Sequence, residues 1–184
     1  MRRTAICLAL ALVALAGTTV PAGAAGAAAS PLRAYGGGGV SFRYPKTWHV
    51  APKAWHWGGP ALQLVTYLST QTMHDPCVRS GASATCAPPL DVLAPRGAVL
   101  VTWTRGIPSA MPRATGARVK LGGRPARLSL LRPGACRYLA ADETVTATIS
   151  LPSQTLVMQA CLRGPGTAAN VLRVRAMLAT LKLR

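Results

Sequence analysis

The chain has 184 residues, with 21 lysine and arginine side chains against four aspartates and glutamates, and its formal net charge at pH 7 is +17. This length is that of one domain with its own hydrophobic core. The scarcity of acids leaves few ways to build an acid–base site, and no apolar run reaches the roughly 18 residues that a membrane-spanning helix needs.

The first 27 residues have the pattern of a secretory signal peptide. Arg2 and Arg3 form a positive start, residues 5–16 an apolar stretch, and residues 17–27 a small-residue segment with A-x-A sites. We therefore predict a signal peptide over residues 1–24, with cleavage as late as residue 29, and a secreted, extracytoplasmic protein. Paired arginines also occur in twin-arginine signals, but the rest of that motif is missing, so the general secretory route is favoured.

Four cysteines follow this leader, namely Cys77, Cys86, Cys136 and Cys161. An even number in an exported chain predicts two disulfides, for which three connectivities are possible. The pairing of neighbours, Cys77 with Cys86 and Cys136 with Cys161, is favoured because it closes short loops. A structural zinc site is the alternative, but the sequence contains no C-x-x-C pair.

Residues 25–39 are rich in alanine and glycine and predict a flexible lead-in. From residue 40 onward, alternating or apolar runs between turn residues predict short strands. The predicted strands are 40–44, 62–68, 98–104, 118–121, 124–131, 144–151 and 155–162. The segment that contains Cys77 and Cys86 is predicted to be a polar loop.

Gly122 and Gly123 separate two of these strands and predict a two-residue hairpin turn. After the breaker at 164–166, Thr167 is predicted to cap a C-terminal helix. The apolar side chains expected on one face of this helix are Val171, Leu172, Val174, Met177, Leu178 and Leu181. Lys182 and Arg184 suit the negative end of the helix dipole.

Hairpin-rich strands closed by a helix predict an α+β fold. In this fold, an antiparallel β-sheet of short hairpin-connected strands is covered by a C-terminal amphipathic helix. The predicted domain is single and extends over residues 40–184.

The segment Phe42-Arg43-Tyr44-Pro45-x-x-Trp48 lies near the predicted mature start, and Arg124-Pro125-Ala126 follows the Gly-Gly hairpin. Together with the closing helix, these features over residues 38–184 resemble the PsbP-like α/β superfamily, and more closely its uncharacterised secreted bacterial branch. The resemblance implies a PsbP-like fold and an accessory, scaffolding or partner-binding role. It transfers no functional residue, because the superfamily shares no catalytic motif.

Common catalytic motifs are missing from the sequence, which has no glycine-rich phosphate loop before a helix and no G-x-S-x-G elbow. Asp142 and Glu143 are adjacent and would point to opposite faces of a strand, which does not suit paired-carboxylate hydrolysis. His49, His56 and His74 are the candidates for a metal-dependent hydrolase, but their spacing is not typical of metal ligands. The balance favours a protein that is not an enzyme and that has no cofactor and no metal.

Aromatic residues cluster early in the predicted mature chain, where Trp55, His56 and Trp57 precede two glycines. An aromatic loop of this kind can stack on sugar rings or rest at a membrane interface. It is therefore a candidate surface for a sugar or another small ligand. The alternative, that the loop tryptophans cover the edge of the core, is favoured.

Nine basic residues and no acid lie between Asp91 and Asp142. A two-residue hairpin turn places Arg118 opposite Arg127 and puts Lys120 on the same face. Like charges that oppose each other across a strand pair are mildly destabilising unless an anion bridges them. This face is therefore a candidate anion-binding surface, and the alternative is a solvated face without a ligand.

The leading functional prediction is an exported, disulfide-stabilised, non-catalytic protein that associates with anionic cell-envelope components or with a partner protein. Outside the cytoplasm, anionic wall polymers and acidic membrane surfaces are favoured over nucleic acid as the polyanion. One alternative is a sugar-binding or small-ligand-binding module that uses the loop of Trp55, His56 and Trp57. A second alternative is a metal-dependent hydrolase built on the three histidines.

Overall fold

A computed structural model describes residues 31–55, 58, 59, 61–80, 83–132 and 134–184. The predicted signal peptide, His56 and Trp57 lie outside the described residues. The described residues form twelve strands and one α-helix, which are β1 (Leu32–Gly37), β2 (Val40–Pro45), β3 (His49–Val50), β4 (Leu62–Ser69), β5 (Cys77–Ser80), β6 (Ser83–Cys86), β7 (Ala98–Gly106), β8 (Ala117–Leu121), β9 (Arg124–Leu131), β10 (Glu143–Ser150), β11 (Thr155–Arg163), α1 (Thr167–Ala179) and β12 (Lys182–Leu183).

Seven of these strands form one antiparallel sheet, in the order β3-β4-β7-β11-β10-β9-β8. The strands β8 to β11 are neighbours in chain order, with short turns between β8 and β9 and between β10 and β11 and a longer connection between β9 and β10. The strand β7 pairs with β11, although three strands lie between them in the sequence. β7 is paired on both sides, with β4 and with β11. Its mostly apolar sequence fits this position, because the larger core packs on one face of β7 and the smaller core packs on part of the other face.

One face of the large sheet is covered by α1 and by a smaller sheet in the order β1-β2-β12. Phe42 on β2 stacks between Tyr35 and Trp103, with ring-centroid distances of 5.0 Å to Tyr35 and 5.3 Å to Trp103. Trp103 belongs to β7, so this aromatic stack joins the two sheets. The buried apolar side chains around it form the larger core of the protein.

The helix α1 contributes Val171, Val174, Met177 and Leu178 to the larger core, as the sequence predicts. Leu172, which was expected on the same face, is 65% exposed. A helical period of 3.6 residues rotates it away from the sheet, whereas the neighbouring valines point toward it.

The start of α1 differs from the predicted cap. The N-cap is Gly166, with a φ of 84°, and Thr167 is the first helical residue. The Thr167 hydroxyl donates a hydrogen bond to the carbonyl of Gly164 and therefore caps no backbone amide. The helix ends at Ala179, and Lys182 lies in strand β12 rather than in the last helical turn.

The opposite face of the large sheet carries a smaller core beneath residues 90–94 and 136–141. Its buried residues include Leu64, Tyr67, Leu93, Leu100 and Leu139. No helix in the described part of the chain is long and apolar enough to cross a membrane.

Both predicted disulfides are present. Cys77 and Cys86 occupy opposed register positions on β5 and β6, with 4.1 Å between their Cα atoms. Cys136 and Cys161 are buried in the smaller core, with 5.6 Å between their Cα atoms, and they tie the segment after β9 to β11. The pairing of neighbouring cysteines is therefore confirmed, and it indicates an oxidising compartment.

The predicted α+β class is wrong. The described residues are 48% strand and 15% helix with a single α-helix, so the protein is a β-rich fold of antiparallel sheets with a C-terminal helix. The sequence pattern missed five strands, β1, β3, β5, β6 and β12. They are short or exposed, and an apolar pattern is weak in strands of that kind.

The strand β1 lies within residues 25–39, the range predicted to be a flexible lead-in. Leu32–Gly37 pairs with β2 along its whole length. Gly38 and Gly39 form the turn between them with φ values of 55° and 72°, a conformation that strongly favours glycine. The glycine run was therefore a hairpin signal of the same kind as Gly122-Gly123.

Candidate functional site

The predicted hairpin of β8 and β9 is formed around Gly122 and Gly123, whose φ values are 55° and 78°. The register pairs Leu121 with Arg124, and it pairs Arg118 with Arg127. The two arginines therefore face each other across neighbouring strands, as the sequence predicts.

Arg118, Lys120 and Arg127 form what we call the basic face. Arg118 and Lys120 are exposed, and Arg127 is partly exposed. Val119 and Ala126 alternate with these residues and pack on the larger core, so the three cations share the opposite side of the hairpin. The Arg127 Nη1 donates a hydrogen bond of 3.0 Å to the carbonyl of Gly116. The basic face forms no ion pair with a carboxylate of the described residues.

The acidic residues lie at the other end of the large sheet. Asp142 and Glu143 stand at the start of β10, where Glu143 pairs with Arg132. Asp91 pairs with His74 through a contact of 3.6 Å, and Asp75 directly follows His74. This cluster is held near the start of β10 by a backbone hydrogen bond of 3.0 Å from the amide of residue 93 to the carbonyl of residue 139. The negative charges therefore lie near the start of β10, and the basic face lies toward the other end of the large sheet.

A cleft lies on the same sheet face as the basic face. The segment 107–116 leaves the end of β7 and reaches β8 at the sheet edge, so it crosses over β11, β10 and β9. A cavity of about 330 Å³ lies between this segment and the residues after β9. The floor of this threonine cleft consists of Thr102, Thr104, Ser129, Thr146, Thr148, Val157 and Gln159.

The polar side chains of the threonine cleft follow the strand register. Gln159 pairs with Thr102 on one side and with Thr146 on the other, and Thr146 pairs with Ser129. None of these four side chains is hydrogen-bonded within the described residues. Met111 and other apolar side chains form part of the wall. An apolar cavity with a few free polar groups is typical of a small-molecule site.

The basic face and the threonine cleft are neighbours. Arg127 on β9 pairs with Thr148 on β10, which is part of the cleft floor. Arg113, on the crossing segment, lines the cleft and adds a further cation. The arrangement can hold a negatively charged group beside a cavity that offers hydroxyl and amide groups.

Among the described residues, no hydrogen bond or ion pair joins the other predicted candidates, His49, Trp55 and His74. Trp55 ends a short 3-10 helix and is partly buried against the smaller core, whereas His56 and Trp57 lie outside the described residues. The His74 ring interacts with Asp91 through Nε2 and with the backbone carbonyl of Asp75 through Nδ1, the latter at 3.1 Å. No group of three histidine, cysteine or acidic residues among the described ones is placed to hold a metal ion.

Comparisons with known proteins give no family. The sequence matches no protein-family model, and no curated protein matches it significantly. A crystal structure from Bacteroides thetaiotaomicron is similar with a TM-score of 0.39 and 14% sequence identity over 79% of this chain, which spans 45% of that structure's length. A likeness at this level carries no argument about fold or function. The resemblance to the PsbP-like superfamily stays a prediction.

The threonine cleft was not found by sequence reasoning. Threonines alternate with apolar residues in β10, and this pattern predicts only that the threonines point away from the core. The segment 107–116 changes that environment by crossing over the strands. The available signal was the length of the connection between β7 and β8, because a hairpin between neighbouring strands needs only two to five residues.

Proposed function

We propose that the protein is an exported, disulfide-stabilised, non-catalytic protein that binds anionic polymers of the cell envelope through the basic face. The observation that carries this proposal is the direct opposition of Arg118 and Arg127, neither of which pairs with a carboxylate of the described residues. Such a pair costs stability in the free protein, and a bridging anion removes that cost. A polymer with regularly spaced negative charges engages Lys120 at the same time.

Several further features support the proposal. The sequence start has the pattern of a signal peptide, and two disulfides fit an oxidising compartment outside the cytoplasm. The acids stand at the far end of the large sheet, so a polyanion at the hairpin meets little repulsion. Long-range attraction by the net charge speeds the encounter with an anionic surface.

The test is retention on an immobilised wall polymer with phosphate in its backbone, measured over a salt series. Because binding releases counterions, retention falls steeply between about 50 mM and about 200 mM salt. The triple variant Arg118→Gln, Lys120→Gln, Arg127→Gln is expected to lose most of this retention. Its unfolding transition stays at or slightly above that of the unmodified protein.

A matched control has the same change of charge elsewhere. Arg33, Arg43 and Lys46 are also two arginines and one lysine, all exposed; the arginines lie on β1 and β2, and the lysine directly follows β2. Their triple glutamine variant is expected to keep most of the retention. Equal losses in the two variants contradict the proposal, because only net charge would then matter. Preferential binding to anionic phospholipid vesicles over the polymer would identify a membrane surface as the partner instead.

A second candidate function is the binding of a small hydroxyl-bearing ligand, such as a sugar or polyol, in the threonine cleft. The row of Thr102, Gln159 and Thr146 favours it, because these side chains are unpartnered within the described residues. A thermal-shift screen with sugars and polyols tests it. A stabilising ligand should lose its effect in Thr102→Val and Thr146→Val, and keep it in Thr85→Val on the exposed strand β6. Equal stabilisation of all variants contradicts binding in the cleft.

A further inference from the structure

A second cavity lies at the end of the large sheet, where the β8–β9 and β10–β11 turns meet β12. Its volume is about 400 Å³. Its polar lining is formed by Arg105, Arg124, Arg184, Ser153 and Gln154. We call it the arginine cavity.

The arginine cavity is on the opposite side of the large sheet from the basic face. Arg105 on β7 pairs with Leu156, which is buried in the larger core. Arg124 pairs with Leu121, which packs against the same core. Since side chains alternate along a strand, the hairpin presents Arg124 to one side and Lys120 to the other. The two groups of cations are therefore physically separate.

The guanidinium of Arg105 is partly withdrawn from water, and no carboxylate side chain of the described residues pairs with it. Its Nε is completely buried and has no hydrogen-bond partner in the described part of the chain. The remainder of the group lies against the β1–β2 turn, where a Cβ on Gly39 would be only 2.7 Å from the Arg105 Nη2. Burying a charge without a partner is unfavourable, so the site gains stability from a bound anion.

No carboxylate side chain among the described residues approaches this end of the large sheet. The nearest acid along β10 is Glu143, at the opposite end of this eight-residue strand. At about 3.4 Å per residue, the strand separates Glu143 from the β10–β11 turn by about 24 Å. Arg105, Arg124 and Arg184 form neither ion pairs nor side-chain hydrogen bonds within the described residues. The arginine cavity is therefore a concentrated positive site.

We propose that the arginine cavity binds the phosphate group of a small phosphate monoester. Guanidinium groups form paired, charge-assisted hydrogen bonds with phosphate oxygens, and three of them match a group with several equivalent oxygens. The volume is in the range of small-molecule pockets, so there is room for the organic part of an ester. Ser153 and Gln154 supply hydrogen-bonding groups beside the arginines. This site is independent of polymer binding at the basic face.

The test is a titration with glycerol phosphate and, separately, with inorganic phosphate, followed by NMR of the arginine Nε–H groups. The Arg105 Nε–H signal is expected to shift and to saturate at one ligand per protein. Arg124→Gln is the main variant, because Arg124 is exposed and its loss leaves the fold intact. We expect it to weaken ester binding at least about tenfold, the size of one charge-assisted hydrogen bond.

Arg118→Gln is the matched control, since Arg118 is an exposed arginine of the same hairpin on the other side of the large sheet. It should leave the ester affinity unchanged and reduce polymer retention. Arg124→Gln should weaken ester binding and leave polymer retention unchanged. Tighter binding of inorganic phosphate than of the ester overturns the assignment to an ester. Shifts that grow linearly at every arginine, or equal losses in both variants, overturn the site itself. Failure of polymer retention alone leaves this result untouched and contradicts only the proposed function.

Discussion

Arg118 and Arg127 face each other directly across the β8–β9 pair, and neither forms an ion pair with a described carboxylate. Arg127 instead donates to the carbonyl of Gly116. Opposed like charges lower the stability of a strand pair. The pair therefore lowers the stability of the free protein and favours the binding of an anion.

Replacing Arg118 with glutamate places a carboxylate opposite Arg127. We expect the free energy of unfolding at low salt to rise by about 0.2–1 kcal/mol, while polymer retention is lost. Chemical denaturation at low and at high salt measures the effect, because salt screens the interaction. Arg33→Glu is the control, since Arg33 is exposed and opposite Tyr44 rather than a cation. A lower stability of Arg118→Glu than of the control would contradict the opposed-charge argument.

The two disulfides should contribute unequally. Their sequence separations are 9 residues for Cys77–Cys86 and 25 residues for Cys136–Cys161. Loop-closure entropy predicts about 2.6 kcal/mol for the shorter loop and about 3.5 kcal/mol for the longer one. Double alanine variants of each pair, compared by denaturant unfolding, measure the difference. Burial of Cys136 and Cys161 widens it, because their replacement leaves a cavity. Free thiols at these two positions in the native protein would contradict the pairing.

Tyr35 should make stability depend on pH in the alkaline range. Burial raises the pKa of Tyr35 above its ordinary value of 10.0, and a hydrogen bond with Thr66 opposes this to a smaller extent. Since the pKa is higher in the folded state, the contribution to stability is complete below the unfolded value and disappears as the pH rises through the folded value.

The variant Tyr35→Phe separates this contribution from other titrations. At neutral pH it should lose about 1 kcal/mol, because the Tyr35 hydroxyl donates a hydrogen bond of 2.9 Å to the carbonyl of Val65. Above about pH 10, its stability should fall less steeply than that of the unmodified protein. Denaturant unfolding across this pH range measures both effects. Parallel curves for the two proteins would show that Tyr35 does not titrate differently on unfolding.

Two threonines of β10 should respond differently to the same substitution. The Thr144 hydroxyl is fully buried and accepts a hydrogen bond of 3.4 Å from the amide of Cys136, whereas the Thr146 hydroxyl has no partner within the described residues. Thr144→Val should lower the free energy of unfolding by about 1 kcal/mol. Thr146→Val should change it by less than about 0.5 kcal/mol. Equal losses would mean that the Thr146 hydroxyl is engaged in the free protein and that the threonine cleft is not open to a ligand.

The parts of the fold predicted from the sequence are those set by local chemistry. Gly122 and Gly123 define the turn, and the turn alone fixes the register that opposes Arg118 to Arg127. The pairing of the cysteines also followed from their spacing in the chain. The position of the three cations on one side of the hairpin could therefore be predicted from the sequence, while their binding role is still a prediction.

The parts that were missed depend on contacts between distant segments. Asn170 is a buried polar residue of α1. Its Nδ2 donates a hydrogen bond of 3.1 Å to the carbonyl of Gly97, which is 73 positions away in the sequence. The helical pattern contains no signal of that contact. The arginine cavity likewise requires β7, two hairpin turns and β12 to converge. No window of the sequence contains more than a part of it.

The small sheet is completed by residues from near both limits of the described chain. β12 pairs with β2, and the amide of Arg43 donates a hydrogen bond of 2.8 Å to the Thr180 hydroxyl across 137 positions of sequence. Contacts of such long range make folding slow, because the loop between them must close before they stabilise anything. During synthesis, Phe42 and its neighbours stay uncovered until α1 and β12 have emerged. The small sheet therefore stays incomplete until β12 pairs with β2.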